Sequence, residues 1–120
     1  MDPEEVGEHY RAACALYEEK QFAVAVSLLI HAVSYVPDNP KLLIELSACL
    51  EAQLRYAEAA DHMKASGLVG SDAWVTYLYA FNSLFRGDLA ESLRTIEQVD
   101  IADSETLTFA VGQLLSLIHI

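Results

Sequence analysis

The sequence predicts an all-α chain built from paired helices, and three observations carry that prediction. Apolar residues recur at helical spacing, and no stretch alternates apolar and polar residues between turn residues as a half-buried strand would. Prolines, glycines and capping residues cut the chain into segments of helical length joined by short breaks. The stretches QFAVAVSLLIHAVSYVP, RYAEAADHMKASGLVG and GDLAESLRTIEQVDIA also repeat one another at a period near 34 residues.

Each element follows from its punctuation. Asp2-Pro3 reads as an N-cap followed by proline at the first helical position, with Glu5 placed to close a capping box, and this helix is expected to run to about Lys20. A second spans Phe22 to Tyr35 and is stopped by Pro37-Asp38-Asn39-Pro40. The third opens after Pro40 and runs to about Leu54, and the fourth covers Tyr56 to Ser66. Gly67, Gly70 and Ser71-Asp72 form the next break and cap. A fifth helix then runs from Ala73 to Arg86, Gly87-Asp88 makes a tight turn, and a sixth covers Leu89 to Val99. Asp103-Ser104 caps a seventh, Glu105 to about Ile118.

The residues that repeat are those that helix pairing requires. Phe22, Tyr56 and Leu89 are spaced 34 and then 33 apart, and Ala25, Ala59 and Ser92 keep the same spacings. In the first helices Ala13, Ser47 and Ala80 are the matching small residues. A small residue on each helix lets the two approach closely, and the aromatic or leucine beside the turn plugs the groove next to it. Ala32 and Pro37 complete the pattern in the first unit. A period near 34 with helix–turn–helix units is the tetratricopeptide signature. The expectation is a single domain over residues 1–120, with repeats at about 6–39, 40–72 and 73–103 and a capping helix at about 104–118. Its helices would wind into a right-handed superhelix with a concave groove. The competing reading is an irregular helical bundle whose alanines fall in step by chance.

Composition narrows the function classes. Seven Lys and Arg against 18 Asp and Glu give a formal charge of −11, a field that repels nucleic-acid phosphates and anionic membrane surfaces. An apolar fraction of 53% excludes a disordered acidic tail and exceeds what a small acidic protein needs, which points to a surface covered by a partner. MDPEEVGEHY is acidic and has no apolar run, so no leader is read there, and AVAVSLLIHAVSYV is broken by His31 and ended near Pro37, too short to span a membrane. Cys14 and Cys49 sit in helical patterns and read as a reduced, buried pair. A cytoplasmic protein is expected.

Little in the chain could be an active site. His9, His31, His62 and His119 form no i, i+4 metal pair, the glycines are isolated at breaks, and no serine has a nucleophile-elbow context. No catalytic residue, metal ligand, cofactor or small-molecule substrate is expected. The informative feature is a face. Trp74, Tyr77, Phe81, Leu84 and Phe85 fall on the groove side of the third repeat's first helix. The second repeat contributes Ile44 and Ala48 with Lys41 at the rim, and the first contributes Tyr10, Cys14 and Tyr17. The same aromatics could instead fill the core between repeats, and Tyr79, on the packing side, is read that way. An aromatic groove without lysines or arginines suits the apolar face of an amphipathic helix rather than a charged chain terminus.

Three stretches carry a family resemblance. PKLLIELSACLEAQLRYAEA, SDAWVTYLYAFNSLFRGDLAESL and DSETLTFAVGQL, with Trp74 after a short acidic loop and Phe109 and Gly112 in the last helix, resemble the tetratricopeptide-type needle-subunit chaperones of bacterial type III secretion systems (the YscG/PscG-like group) over roughly residues 40–115. That resemblance implies a non-enzymatic protein of the bacterial cytoplasm. It would bury the C-terminal amphipathic helix of the needle subunit in its groove and so block premature polymerisation, together with a small helical-hairpin co-chaperone. Carried onto this chain, the groove residues are Trp74, Tyr77, Phe81, Leu84, Phe85, Ile44 and Ala48, and the co-chaperone side is Tyr10, Cys14 and Tyr17. The regular Ala25, Ala32, Pro37 series of the first repeat keeps two other expectations open. One is a tetratricopeptide chaperone of secreted translocators; the other is a general protein-interaction scaffold.

Overall fold

The protein is described here by a computed structural model covering residues 1–102 and 104–118. Among the described residues seven helices follow one another: α1 (Pro3–Glu18), α2 (Phe22–Tyr35), α3 (Pro40–Ala52), α4 (Tyr56–Ala65), α5 (Ala73–Phe85), α6 (Leu89–Ile96) and α7 (Glu105–Ile118). Among the described residues there is no strand. The fold is all-α and tetratricopeptide-like.

The helix starts are chemical. Asp2 accepts from the Glu5 N–H at 2.8 Å, Asn39 from Lys41 at 3.0 Å, Asp72 from Val75 at 2.9 Å and Asp88 from Glu91 at 3.1 Å. Each side chain satisfies a donor that the first helical turn leaves free. At α7 the Ser104 hydroxyl accepts from Leu107 at 3.1 Å; Asp103, expected beside it in the cap, lies outside the described residues.

The helix ends differ from expectation in an informative way. α1 and α3 stop two residues before Lys20 and Leu54, because those residues adopt φ of 61° and 60°. Gly87, after α5, has φ of 100°. The positions 20, 54 and 87 keep the 34- and 33-residue spacings of the sequence repeat. At each one the following amide reaches back five residues, Gln21 to Leu16 at 2.8 Å, Arg55 to Leu50 at 2.9 Å and Asp88 to Ser83 at 2.8 Å. All three are Schellman caps, in which a left-handed residue reverses the chain and satisfies the last carbonyls. α6 ends at Ile96 rather than Val99, because Gln98 and Val99 donate to Thr95 and Ile96 three residues back and tighten the last turn out of α geometry.

Packing follows the small residues. Ala13, Ser47, Ala80, Ala25, Ala59 and Ser92 are all buried. Where α5 crosses α6 the helices come close enough for the Ser92 hydroxyl to donate to the Ala80 carbonyl at 2.7 Å. The core runs along the chain as consecutive apolar clusters. The first joins α1, α2 and α3 through Val6, Ala13, Val26, Leu29, Leu46 and Leu50. Next, Leu43, Ala60, Met63, Val75 and Tyr79 join α3, α4 and α5. The last joins α5, α6 and α7 through Tyr77, Ile96, Leu107 and Leu114. Each fully buried leucine is worth about 1.5–3 kcal/mol. Helices α1, α3 and α5 thus stand side by side, with α7 packed next to α5.

Candidate functional site: the concave groove

The side-by-side first helices bring equivalent residues into rows. Tyr10, Ile44 and Tyr77 share one register, as do Cys14, Ala48 and Phe81, each set spaced 34 and 33 residues apart. Tyr17 and Leu84 belong to a third register whose middle member is Glu51. Phe85 belongs to a fourth, with Glu18 and Ala52.

On α5 the aromatics touch in series. Trp74 meets Tyr77 edge-on with centroids 5.8 Å apart, Tyr77 lies 6.3 Å from Phe81, and Phe81 lies 4.7 Å from Phe85. Phe85 then stacks on Tyr56 of α4 at 5.2 Å. Such offset and edge contacts hold the rings in fixed orientations. Exposure grades along this ladder. Tyr77 is buried among Ala80, Leu107 and Leu114; Trp74, Phe81 and Leu84 are half-buried; Phe85 is 45% exposed. Ile44 and Ala48 are half-buried. Tyr79 lies in the core between repeats with Leu43, Met63 and Val75.

The other half of the groove is polar. Tyr10, Cys14 and Tyr17 are all half-buried on α1. The neighbouring Cys14 thiol, together with burial, raises the Tyr10 pKa. Burial pushes Cys14 and Glu45 up as well, and takes Cys49 to about 12. Both thiols are therefore held protonated, the opposite of what a nucleophilic cysteine needs. Lys41 of α3 places its ammonium 6.0 Å from the centre of the Tyr10 ring, and Tyr17 packs edge-on against Phe22 at 5.3 Å.

Between α3 and α5 lies a buried polar network that the sequence reading did not anticipate. The Ser47 hydroxyl donates to Glu51, and the Asn82 amide donates to Ser47 Oγ at 3.0 Å, Glu51 Oε2 at 3.1 Å and the Leu78 carbonyl at 2.8 Å. Burial raises the Glu51 carboxyl pKa despite those donors, and burial followed by the Glu51 charge raises that of Tyr77. Repeat arithmetic reaches Glu51 directly, since it stands midway between Tyr17 and Leu84 in register. Asn82 carries no such signal.

Elsewhere, His9 and His31 meet across α1 and α2 with ring centroids 5.5 Å apart, and His31 packs edge-on against Tyr35 at 5.4 Å. His119 lies outside the described residues. Among the described residues no group of three or more His, Cys, Asp or Glu could hold a metal ion, and no helix is long and apolar enough to cross a membrane. The groove can present rings, methyl groups and carboxylates to another chain.

No protein-family model matches this chain, and no curated protein matches it. Among solved structures, it is similar to the crystal structure of the Yersinia enterocolitica type III secretion translocator chaperone SycD (alternative dimer). The TM-score is 0.82 at 19% sequence identity, covering 98% of this chain and 94% of that one. The two proteins share one fold from end to end.

Proposed function

We propose that this chain is a non-enzymatic chaperone of a bacterial type III secretion system that holds an apolar segment of a secreted client in its concave groove, and that the client is a translocator. The observation that carries this reading is the likeness of fold to a translocator chaperone over 98% of the chain. The groove supports capture rather than chemistry: an aromatic ladder from Trp74 to Phe85 and, at Cys14, a thiol held protonated rather than activated. Chaperoning of this kind is a cytoplasmic task and needs no cofactor. Trp74, Phe81, Leu84 and Phe85 are already partly covered, so completing their burial would supply only part of the roughly 1.5–3 kcal/mol that full burial gives each, before ordering costs.

A needle-subunit client is the second reading. It is favoured by the half-buried Trp74, Phe81 and Leu84 row beside exposed Phe85, which suits the apolar face of a helix. In that reading Tyr10, Cys14 and Tyr17 face a small helical co-chaperone.

The test is crosslinking within the complex purified from the host, followed by mapping of the client. A single large client held through an extended N-terminal segment supports the translocator reading. Two small partners, one held by its terminal helix, move the assignment to the needle subunit. Phe81→Asp and Trp74→Glu should each lower capture by at least about tenfold with the helical circular-dichroism signal retained. Unchanged capture by folded variants would overturn the groove as the site in either reading.

A further inference from the structure

We infer that His9 of α1 and His31 of α2 form a two-histidine site for a divalent ion of the zinc and nickel class. An ion held there braces the first helix pair. The inference stands independently of what the groove captures.

Geometry carries it. The two rings have centroids 5.5 Å apart and planes inclined by 36°. Two imidazoles that hold one ion at about 2.0–2.1 Å in open tetrahedral geometry have ring centres about 5 Å apart. The rings thus already stand near the spacing that a shared ion requires. His9 Nδ1 lies 2.9 Å from the Glu5 carbonyl oxygen, which only accepts, so Nδ1 carries the hydrogen and Nε2 the lone pair. A metal-binding histidine is oriented in this way, one nitrogen anchored on a backbone carbonyl and the other left to ligate. His31 is positioned in turn by its edge-on contact with Tyr35, at 5.4 Å between centroids. Both rings reach solvent: His9 is half-buried and His31 is exposed.

Helix pairing does not account for the two residues. The equivalent positions are Leu43 and Ala65 in the second repeat, and Thr76 and Gln98 in the third. Neither of those pairs of helices places an imidazole there. A search for histidines four apart along one helix passes over this pair, because it forms across two. Imidazole suits zinc, nickel and copper, whereas magnesium and calcium take oxygen ligands. Among the described residues no group of three His, Cys, Asp or Glu converges, so water completes the coordination and binding is weaker than in a closed site. The formal charge of −11 favours a cation. An ion bound to the folded pair stabilises the chain by mass action.

The experiment titrates the full chain with Ni²⁺ by calorimetry, at a pH above the ordinary imidazole range so that the rings are neutral. The expected result is one ion per chain, bound tighter than about 1 mM, and no binding of Mg²⁺ under the same conditions. His9→Gln and His31→Gln should each weaken binding at least about tenfold with the helical circular-dichroism signal retained, while the control His62→Gln leaves it unchanged. Ni²⁺ should also raise the urea midpoint of the wild type and of neither His9→Gln nor His31→Gln. A readout that needs no variant is NMR of the wild type with Zn²⁺. The imidazole Cε1–H signals of His9 and His31 should move together at the same ion concentrations, with that of His62 still. Absence of binding overturns the site. Binding that survives both substitutions also overturns it, assigning the ion to other side chains. Weakening by only one of the two substitutions overturns the bridge and leaves a single surface imidazole.

Discussion

Glu51 shows how one residue can oppose the fold it belongs to. Its carboxylate is held by Ser47 and Asn82, yet burial outweighs those donors and raises its pKa above the ordinary 4.5. A carboxyl whose folded pKa is raised binds its proton more tightly in the native state. The stability it contributes is therefore fully present below the unfolded value, and it is lost as pH rises through the folded value. Burial also raises Glu45, with the same sign. Urea unfolding should accordingly show stability falling from about pH 4.5 toward neutrality. Glu51→Gln, which keeps an acceptor for Ser47 and removes the charge, should flatten that slope and be the more stable protein at neutral pH. A variant with the wild-type slope would show that the carboxylate is solvated. The exposed pairs Arg55–Glu58 and Arg94–Glu91 work the other way, each partner's guanidinium holding its carboxylate below the usual range, but at the surface they contribute little.

At the scale of the helix, the three first helices end in the same Schellman geometry with different residues at the left-handed position: Lys20, Leu54 and Gly87. Only glycine adopts that conformation without a steric cost, which for other residues is about 1–2 kcal/mol. Leu54 is also 73% exposed, so its side chain returns little of that cost by burial. Leu54→Gly should therefore stabilise the protein by about 0.5–1 kcal/mol, seen as a higher urea midpoint with an unchanged slope. Gly87→Ala should destabilise by about 1 kcal/mol for purely conformational reasons, because a Cβ there meets nothing within 4 Å. The same contrast marks how far the sequence could be read. Helix starts were legible because Asp2, Asn39, Asp72 and Asp88 advertise themselves chemically, and the pairing was legible because close crossings demand Ala or Ser. Two helix ends were not, because Lys20 and Leu54 carry no mark of the conformation that the crossing geometry imposes on them. Within the groove, the aromatic row was legible from its spacing. The burial of Tyr77 was not, since that depends on where Leu107 and Leu114 of α7 come to rest.

For the whole molecule, charge and exposed apolar surface act against each other. A net charge of −11 repels a second copy at long range, while Phe85, Leu54, Val24, Tyr35 and Phe109 offer apolar contact at short range. The second helix sharpens this balance, because the chain from Gln21 to Pro37 contains no Asp, Glu, Lys or Arg at all. Repulsion between exposed charges is screened beyond roughly 10 Å at 0.1 M salt, whereas apolar association is not weakened by salt. The chain by itself should therefore self-associate more as ionic strength rises, the reverse of an assembly held by ion pairs. Sedimentation velocity across a salt series checks this. A weight-average mass that climbs with salt is expected, and Phe85→Glu, which places a further negative charge at the exposed end of the ladder, should move the onset to higher salt. A mass that falls with salt would mean that complementary charged patches hold copies together. Under the proposed function the same physics would govern the loaded state: a client segment covering the α5 aromatics would remove the apolar contact and leave the repulsion, making capture and solubility one property of the groove.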